Sequence, residues 1–427
     1  MPTRNVPASH KKHAPLQATV QVDPAGHLTL PPAVTASWHL RPGDRLSLAL
    51  NGRHMTVTRG PHHLVRLYVE PTTVCNLNCR TCMRNTWETP DGHMAFERYE
   101  RLLAQARAIP TLERLAFGGF GEPLAHPRLP EMVARAKAQG LVVELVTNGT
   151  LLDPDMALAL VRAGLDQLWV SIDGVTPETY NDVRGERLQI VLDHLRDLRR
   201  ARRRVSGSNL ELGLVFVAMK HNAGELAQLP RLAGQVGARQ VMVTNVLPYT
   251  CEMAEEMLYE RALFLSGPVP SSVCPQIILP NMDWDQETGA ILVEQLSRGA
   301  AVRLMDQPLR WSRDTCRFIA QGCAVVGWDG QVAPCLGLLH PYTTYLHGYE
   351  RHIRAYSLGH IDARPLDDIW SDPEYVAFRE RVDAFKFAPC TICGGCDDLE
   401  SNETDCVGSP FPACGGCLWA QGVIQCL

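Results

Sequence analysis

Residues 64–85 read LVRLYVEPTTVCNLNCRTCMRN, a short apolar run followed at once by three cysteines. The thiols of Cys75, Cys79 and Cys82 are spaced C-x3-C-x2-C. Two thiols would suffice for a disulfide or a redox pair, and four would close a tetrahedral structural zinc site. Three thiolates in one loop indicate instead a metal centre that keeps one position open.

The composition is that of a globular protein. The chain has 427 residues, 45% of them hydrophobic and 20% charged, which is enough for roughly two to four domains. A net charge of −5 gives no reason to expect binding to nucleic acid or to an anionic membrane. The first residues lack the apolar core of a signal peptide, and no run approaches the ~18–20 apolar residues that cross a bilayer. We therefore expect a cytoplasmic protein.

Fifteen cysteines are many for a reducing compartment, where structural disulfides are rare. Three lie in the opening motif, Cys251 and Cys274 stand alone, and ten fall between Cys316 and Cys426. An odd total with this clustering favours metal ligation over disulfide pairing. Buried free thiols that act as small hydrophobic side chains are the alternative, and this suits the two isolated cysteines better than the clusters.

Between residues 62 and 250 short apolar runs alternate with longer amphipathic ones. The pattern predicts six strands, at 64–70, 113–118, 141–147, 166–172, 210–218 and 239–246. The helices predicted between them include 97–108, 129–139 and 154–163. This alternation indicates an α/β fold with a parallel sheet, and six units are too few for a closed eight-stranded barrel. We predict a partial (β/α)6 barrel with its chemistry at the C-terminal strand ends, where the cysteine loop lies.

The rest of the chain divides into four predicted segments. Residues 1–16 are read as a flexible tail. Residues 17–61 are read as a small β module, because short alternating strands are broken by turn signals such as the one at 42–44. Residues 251–310 look like an insertion or linker. In residues 311–427 cysteine, glycine and proline dominate, so this domain should depend on metal centres for its fold.

Glycine-rich or polar turns follow the second, third and fourth predicted strands. In GGFGEP, Gly119 and Gly121 let the backbone approach a ligand, and Glu122 can pair with an ammonium group. The turns TNGT and SIDG each place hydrogen-bonding side chains at the same edge of the sheet. The candidates for contacts with ribose hydroxyls are Thr147, Asn148, Ser171 and Asp173.

The cysteine spacing and these turns together resemble the radical S-adenosylmethionine (SAM) superfamily. There, three thiolates hold a 4Fe–4S cluster, SAM binds the open iron, and one electron cleaves SAM to a 5′-deoxyadenosyl radical. The resemblance implies that Glu122 contacts the methionyl amine and that Arg184 lies near the SAM carboxylate. Relatives commonly have an aromatic residue before the third cysteine, whereas this chain has Thr81. That departure affects one adenine contact but not the cluster.

Cys316 and Cys335, with Gly330 five residues before the second, resemble the first half of a SPASM domain. SPASM domains carry auxiliary clusters in radical SAM enzymes that modify peptides and proteins. The second half departs from the usual spacing, and its candidate ligands are Cys390, Cys393, Cys396, Cys406, Cys414, Cys417 and Cys426. Nine candidates for the eight positions of two 4Fe–4S clusters leave one spare, or one cluster is ligated differently. Cys323 falls outside the motif and is expected to be structural.

Zinc is the alternative for these thiols, since CTIC and CGGC are good zinc half-sites. We favour two auxiliary iron–sulfur clusters over zinc or mixed occupancy, because a radical SAM barrel needs electrons.

Residues 17–61 resemble the swapped-hairpin module of AbrB-type transcription factors, which share the patterns D-x-x-G-x-L-x-L-P and PGD. In that family the module dimerises and binds DNA through basic residues. Here it has no lysine, and its arginines are Arg41, Arg45, Arg53 and Arg59. So few cations favour docking or homodimerisation over DNA binding. The denser run RDLRRARRR at 196–204 is interpreted as a solvated helix C-terminus, with anion or RNA binding as the alternative.

From this module to the tail SNETDCVGSPFPACGGCLWAQGVIQC, the chain resembles radical SAM maturases proposed to modify the cofactor of tungsten-containing aldehyde ferredoxin oxidoreductases. The resemblance implies an enzyme that acts on a pterin-type metal cofactor or its host protein, reduced by a ferredoxin- or flavodoxin-type donor. One alternative is a SPASM-type peptide modifier that makes a thioether or another crosslink, although no winged-helix peptide-recognition module is evident. The other, an iron–sulfur regulator that binds DNA through residues 17–61, would require the SAM motifs to be vestigial.

Overall fold

The computed structural model describes residues 19–38, 40, 46–51, 54–58, 60–260, 276–279, 301–304, 307–309, 316–391 and 393–425. The chain divides into two compact units, Met1–Thr58 and Arg59–Leu427. Several predictions concern residues outside the described ones: the tail at 1–16, most of the segment 251–310, Cys274, Cys426, Arg41, Arg45, Arg53 and Arg59.

The first unit contains a short helix and a hairpin. Helix α1 spans Pro32–Ser37 and starts with proline at its first position. Strands β1 (Ser47–Asn51) and β2 (His54–Thr58) pair antiparallel, with Asn51 opposite His54. The two strands therefore form an antiparallel hairpin. The AbrB-like likeness and the homodimer stay predictions.

A parallel sheet forms the frame of the second unit. Its strands are β3 (Arg66–Val69), β4 (Arg114–Phe117), β5 (Val142–Thr147), β6 (Gln167–Ser171), β7 (Glu211–Ala218) and β8 (Gln240–Asn245). Each strand pairs in parallel with the next one along the chain. All six lie inside the predicted limits, and the predicted α/β partial barrel is confirmed.

Helices connect these strands, and one more helix follows the last strand. They are α2 (Phe96–Ala106), α3 (Leu129–Ala138), α4 (Pro154–Ala163), α5 (Pro177–Arg184), α6 (Leu188–Arg204), α7 (Leu229–Val236) and α8 (Cys251–Glu255). Helix α4 begins where the sequence predicts, because the carboxylate of Asp153 accepts a hydrogen bond from the backbone N–H of Met156 (2.8 Å). The basic run 196–204 forms the C-terminal half of α6. None of the described helices combines the length and apolar composition needed to cross a membrane.

Part of the predicted insertion forms a small separate sheet. Strands β9 (Gln276–Leu279) and β10 (Ala301–Leu304) pair in parallel, and β11 (Gln307–Leu309) pairs antiparallel with β10.

The C-terminal domain extends the barrel sheet instead of standing apart from it. Strand β12 (Cys323–Val326) pairs in parallel with β3, and β13 (Gln331–Ala333) and β16 (Gly359–His360) add antiparallel strands beyond it. Cys323 is buried in β12, where it packs as a structural side chain. The remaining elements are the hairpin β14 (Tyr342–Leu346) and β15 (Tyr349–Ile353), and helices α9 (Arg317–Ala320), α10 (Leu366–Trp370) and α11 (Pro373–Asp383).

This domain has more apolar core than the sequence led us to expect. Ile361, Leu366 and Ile369 are almost fully buried and belong to the same cluster as the barrel side chains. The domain shares the core of the barrel because β12 continues its sheet. Its strands have only two to five residues, which is too short for periodicity to reveal them.

Candidate active site

The predicted site residues meet in one cavity at the C-terminal edge of the parallel sheet. The cavity contains about 720 Å³ of empty space, part of it open to solvent. Ten of the eleven residues predicted to bind a first cluster and SAM line it: Cys75, Cys79, Cys82, Gly119, Gly121, Glu122, Thr147, Asn148, Ser171 and Arg184. They converge because each lies at the C-terminal end of a parallel strand or in the turn or helix that follows one.

The cysteine loop leaves the end of β3 and turns into the cavity. The carbonyl of Cys79 accepts hydrogen bonds from the backbone N–H of Cys82 (3.1 Å) and the side-chain amide of Asn85 (3.0 Å). The thiols of Cys75 and Cys82 each interact electrostatically with that of Cys79. Burial raises the pKa of Cys75 and raises the pKa of Cys82 to about 11. Metal ligation needs thiolates, so a metal centre that binds here displaces protons.

Hydrogen bonds hold both ends of this loop. The hydroxyl of Thr72 donates to the carbonyl of Gly92 (2.7 Å) and accepts from the backbone N–H of Val74 (3.0 Å). Farther along, the backbone N–H of Arg80 donates to the carbonyl of Val183 in α5 (2.9 Å). The thiols are therefore presented by a loop fixed to two other parts of the barrel.

The glycines of the GGFGEP turn are required by close packing against neighbouring residues. A Cβ atom on Gly121 would lie 2.1 Å from the carbonyl oxygen of Thr72 in the cysteine loop. Gly119 has φ +130°, and a Cβ atom there would lie 2.6 Å from Cγ of Glu70. No other residue fits at either position. These glycines bring the turn against the cysteine loop, in addition to leaving room for a ligand.

Glu122 is the buried anion of the cavity, with 2% of its surface exposed. Its carboxylate accepts hydrogen bonds from the backbone N–H groups of Leu124 (2.9 Å) and Asn148 (2.7 Å) and from the hydroxyl of Thr147 (2.6 Å). Burial raises the pKa of Glu122, although the three hydrogen bonds oppose that rise. A carboxylate with three fixed donors and capacity for a fourth is suited to an ammonium group.

Arg184 lies beside the second cysteine, at the end of α5. Its Nη1 donates to Sγ of Cys79 (3.8 Å), and its Nη2 pairs with Oδ2 of Asp173 (2.7 Å). Burial acts to lower the pKa of Arg184, but the charges of Asp173 and Cys79 outweigh it and raise that pKa. Nε of Arg184 is buried without a hydrogen-bond partner among the described residues. This orphaned donor fits a bound carboxylate.

Asp173 is the one predicted SAM-site residue that does not line the cavity. It is fully buried, and its Oδ1 accepts a hydrogen bond from the backbone N–H of Val217 (2.9 Å). A carboxylate in this place positions Arg184, and its predicted contact with a ribose hydroxyl stays a prediction.

The TNGT turn is tied to its neighbours. The side-chain amide of Asn148 donates to Oδ1 of Asn76 in the cysteine loop (3.1 Å) and lies 4.0 Å from Sγ of Cys75. The hydroxyl of Thr147 is bonded to Glu122. Both side chains thus position the thiols and the buried carboxylate, and their predicted ribose contacts stay predictions.

Sequence analysis missed two aromatic side chains of the cavity, Phe120 and Tyr249. Phe120 lies inside the glycine-rich turn. Tyr249 follows β8. It could have been predicted from the sequence, because it lies just past the end of the last predicted strand. Thr81 also lines the cavity but is not aromatic. Tyr249 supplies the aromatic surface that Thr81 lacks.

The paired side chains of Glu70 and His340 were missed as well. Nε2 of His340 lies 2.8 Å from Oε2 of Glu70, and Oε1 of Glu70 accepts a hydrogen bond from the backbone N–H of Phe120 (3.1 Å). The His340 ring also packs edge-on against Trp87, at 4.5 Å between centroids. His340 comes five residues after Cys335, so this contact joins the C-terminal domain to the glycine-rich turn.

A second cavity lies within the C-terminal domain. It contains about 730 Å³ of empty space, and four of the predicted auxiliary ligands line it: Cys316, Cys335, Cys414 and Cys417. Burial raises the pKa of Cys316 to about 12. The other described candidates lie outside this cavity: Cys390 is buried, and Cys393, Cys396 and Cys406 are exposed.

The thiol arrangement bears on the choice between zinc and iron–sulfur clusters. No group of three His, Cys, Asp or Glu side chains in the described parts of the chain is arranged to hold a single metal ion. The number of thiols that line the second cavity equals the four thiolate ligands that a 4Fe–4S cluster takes.

Comparisons with known proteins agree with this geometry. The family model of the radical SAM superfamily matches residues 69–215, and that of the SPASM iron–sulfur cluster-binding domain matches residues 316–397. A tungsten-containing aldehyde ferredoxin oxidoreductase cofactor-modifying protein from Pyrococcus furiosus is 31% identical over 84% of this chain and 96% of its own length. A PqqA peptide cyclase from Streptomyces rochei is 30% identical over 43% of this chain and 48% of its own.

A solved structure also matches. The crystal structure of Streptococcus suis SuiB bound to S-adenosylmethionine has a TM-score of 0.51 and 14% sequence identity, and the match covers 81% of this chain and 73% of that one. At this identity the likeness supports the fold alone.

Proposed function

The chain belongs to the radical SAM superfamily and carries a SPASM domain, and from this premise we propose that it matures a tungsten-containing aldehyde ferredoxin oxidoreductase. As a superfamily member it is an enzyme whose cofactors are a 4Fe–4S cluster and SAM. The proposed target is the pterin-type cofactor of the oxidoreductase or the protein that hosts it. The identity to the Pyrococcus furiosus protein, over 96% of that protein's length, carries this proposal.

The residues of the first cavity fit these two cofactors. Cys75, Cys79 and Cys82 would hold three irons of the cluster and leave one iron for SAM. When bound, the cluster and SAM supply a radical able to abstract hydrogen from an unactivated carbon. Every other contribution at this site comes from the protein, through binding, orientation and exclusion of water.

Glu122 and Arg184 bind the two charged groups at the methionine end of SAM. Thr147 and the backbone of Asn148 fix the Glu122 carboxylate, so the ammonium group meets an oriented anion in a dry environment. The free Nε–H of Arg184 is available to the SAM carboxylate, and Asp173 keeps the guanidinium in place. Phe120 and Tyr249 line the cavity with apolar surface that keeps water from the reacting atoms.

The substrate test measures 5′-deoxyadenosine. Anaerobically reconstituted and reduced protein would be given SAM, together with the oxidoreductase carrying unmodified cofactor or with a short cysteine-rich peptide. We expect the oxidoreductase to stimulate 5′-deoxyadenosine formation and the peptide to leave it at the basal rate. With a deuterated substrate, deuterium should appear in 5′-deoxyadenosine. Stimulation by the peptide alone would refute cofactor maturation.

A peptide-modifying enzyme is the second candidate. The observation that favours it is the match to a PqqA peptide cyclase, but that match covers less than half of either chain. The stimulation experiment therefore includes the peptide.

The proposal has two further parts. The electron donor is a ferredoxin- or flavodoxin-type reductant, and the protein forms a homodimer through residues 17–61.

A further inference from the structure

We infer that the described candidate ligands of the C-terminal domain form two four-thiol sites with the buried guanidinium of Arg351 between them. The inner site has the thiols of Cys316, Cys335, Cys414 and Cys417. The outer site has the thiols of Cys390, Cys393, Cys396 and Cys406. Cys426 lies outside the described residues, and the two sets of four are complete without it. The inference rests on the proposed function for one point, namely that the thiols hold 4Fe–4S clusters.

The inner site is built from segments about a hundred residues apart in the chain. Cys316 begins α9, and Cys335 precedes the 3₁₀ turn Leu336–Leu338. Cys414 and Cys417 come from one turn, in which the backbone N–H of Cys417 donates to the carbonyl of Cys414 (3.0 Å). The thiol of Cys414 interacts electrostatically with those of Cys417 and Cys316. All four thiols line one cavity, so they are assigned to one centre.

Close packing requires both glycines of the CGGC motif, whichever metal its cysteines bind. A Cβ atom on Gly415 would lie 2.0 Å from the carbonyl oxygen of Ala388, and one on Gly416 would lie 2.6 Å from Nη2 of Arg351. The two glycines therefore bring the inner site against Arg351 and against the segment that leads to Cys390.

Asp405 brings the two ends of the outer site together. Its carboxylate accepts hydrogen bonds from the backbone N–H of Ala388 (2.9 Å), two residues before Cys390, and from that of Ser409 (2.9 Å). Cys406 is the next residue in the chain, and the thiol of Cys390 interacts electrostatically with that of Cys406. One buried carboxylate thus brings together Cys390 and Cys406, which are sixteen residues apart in the sequence.

Cys393 and Cys396 are assigned to the outer site because they follow Cys390 closely in the chain. The thiol of Cys393 contacts the carbonyl of Cys390 (3.7 Å) and interacts electrostatically with its thiol. Cys396 follows three residues later, and its carbonyl accepts a hydrogen bond from the backbone N–H of Leu399 (2.9 Å). Cys393, Cys396 and Cys406 are exposed, so the outer site faces solvent while the inner site is enclosed.

Arg351, on β15, is the charged group between the two sites. It is 4% exposed, its Nε donates to the carbonyl of Leu399 (2.6 Å), and its Nη1 donates to the carbonyl of Gly416 (2.7 Å). Its charge interacts with the thiols of both Cys417 and Cys390. It therefore touches the turn that carries Cys396 and the turn that carries Cys417.

No carboxylate pairs with Arg351 in the part of the chain that the structure describes, and backbone carbonyls are its hydrogen-bond acceptors there. A buried cation without an anion is costly, which points to anionic centres on its two sides. Clusters with four thiolate ligands are anionic and gain negative charge on reduction. Arg351 therefore stabilises the reduced form of each cluster and raises both reduction potentials.

Cluster content tests the ligand sets without any turnover. In a chain with Cys75, Cys79 and Cys82 all changed to alanine, two 4Fe–4S clusters should remain by iron and sulfide content and by Mössbauer spectroscopy. Cys414→Ala and Cys406→Ala should each remove one cluster, and Cys426→Ala should remove none. Loss of a cluster in Cys426→Ala, retention of both in Cys414→Ala, or zinc in place of iron would each overturn the proposal.

A redox titration followed by electron paramagnetic resonance tests Arg351. In Arg351→Gln both potentials should become more negative, and Arg351→Lys should keep them near those of the unchanged protein. Arg354→Gln is the matched control, because Arg354 is an exposed arginine paired with Glu403, and it should shift neither potential. If Arg351→Gln loses iron, the lysine variant still tests the charge. Unchanged potentials in Arg351→Gln with full iron content would refute the role of Arg351.

These measurements separate the inference from the proposed function. SAM cleavage by the protein with its own Cys75, Cys79 and Cys82 reports on the function, whereas cluster counts and potentials report on the two sites alone.

Discussion

Replacing Glu122 by glutamine should weaken SAM binding with little change in the shape of the cavity. Glutamine can keep one oxygen toward Leu124 and Thr147, but its amide nitrogen then faces the backbone N–H of Asn148, which now lies 2.7 Å from a carboxylate oxygen. Leaving this buried donor unpaired costs about 1–3 kcal/mol of stability. The free energy of unfolding of the SAM-free protein measures that cost.

The loss in SAM affinity has a different origin. A hydrogen bond to a charged group contributes about 1.5–3 kcal/mol, so removing the anion should raise the Kd for SAM roughly 10–150-fold. Equilibrium titration of the reconstituted, unreduced protein with SAM measures this directly. Thr147→Val is the control: it removes one hydrogen bond to the same carboxylate but keeps the anion, so the Kd for SAM should rise less than in Glu122→Gln.

A SAM analogue without the amino group sharpens the test. It should bind the unchanged protein weakly, and Glu122→Gln should weaken it little further, because the interaction is already missing. If Glu122→Gln binds SAM as tightly as the unchanged protein, or loses equal affinity for SAM and the analogue, the assignment of Glu122 to the amine is wrong.

Three further predictions follow from single contacts. Gly121→Ala should lower both the melting temperature and the iron content of the barrel, because its Cβ would meet the carbonyl of the cysteine loop; Gly224→Ala, with open space around it, should change neither. The pKa of Glu122 is raised above its ordinary 4.5 in the SAM-free protein, so SAM affinity should fall on acidification at a higher pH than for an ordinary carboxyl, and titrations of Glu122→Gln should lack this step. His340→Ala leaves the buried carboxylate of Glu70 with only the backbone N–H of Phe120 and should lower the free energy of unfolding by about 1–3 kcal/mol in denaturant titrations; an unchanged free energy of unfolding would contradict the contact.

The barrel could be predicted from sequence because its signals are local. Each strand is a compact apolar run, and helix α4 carries its own start signal in Asp153 and Pro154. The cavity could be predicted for a geometric reason: C-terminal ends of neighbouring parallel strands meet at one edge, so motifs far apart in the chain must converge. Neither inference needs knowledge of tertiary packing.

Other features depend on contacts that no local pattern encodes. The pairing of β12 with β3 joins residues more than 250 positions apart. The pairing of Asp173 with Arg184 is such a contact, because Arg184 arrives from α5. The sequence likewise offered nine auxiliary ligands without a way to divide them, since only the fold places Arg351 against both groups of thiols.

The central claim is tested most directly by 5′-deoxyadenosine formation from SAM in the anaerobically reconstituted protein with verified cluster content and a strong reductant. The unchanged protein should form 5′-deoxyadenosine and methionine in equal amounts. Cys79→Ala, which lacks one cluster ligand, should form none above background, and Cys251→Ala, which changes an exposed cysteine outside the site, should show basal formation. No SAM cleavage by the unchanged protein, or equal cleavage by Cys79→Ala, would contradict the assignment of a radical-generating cluster to this site.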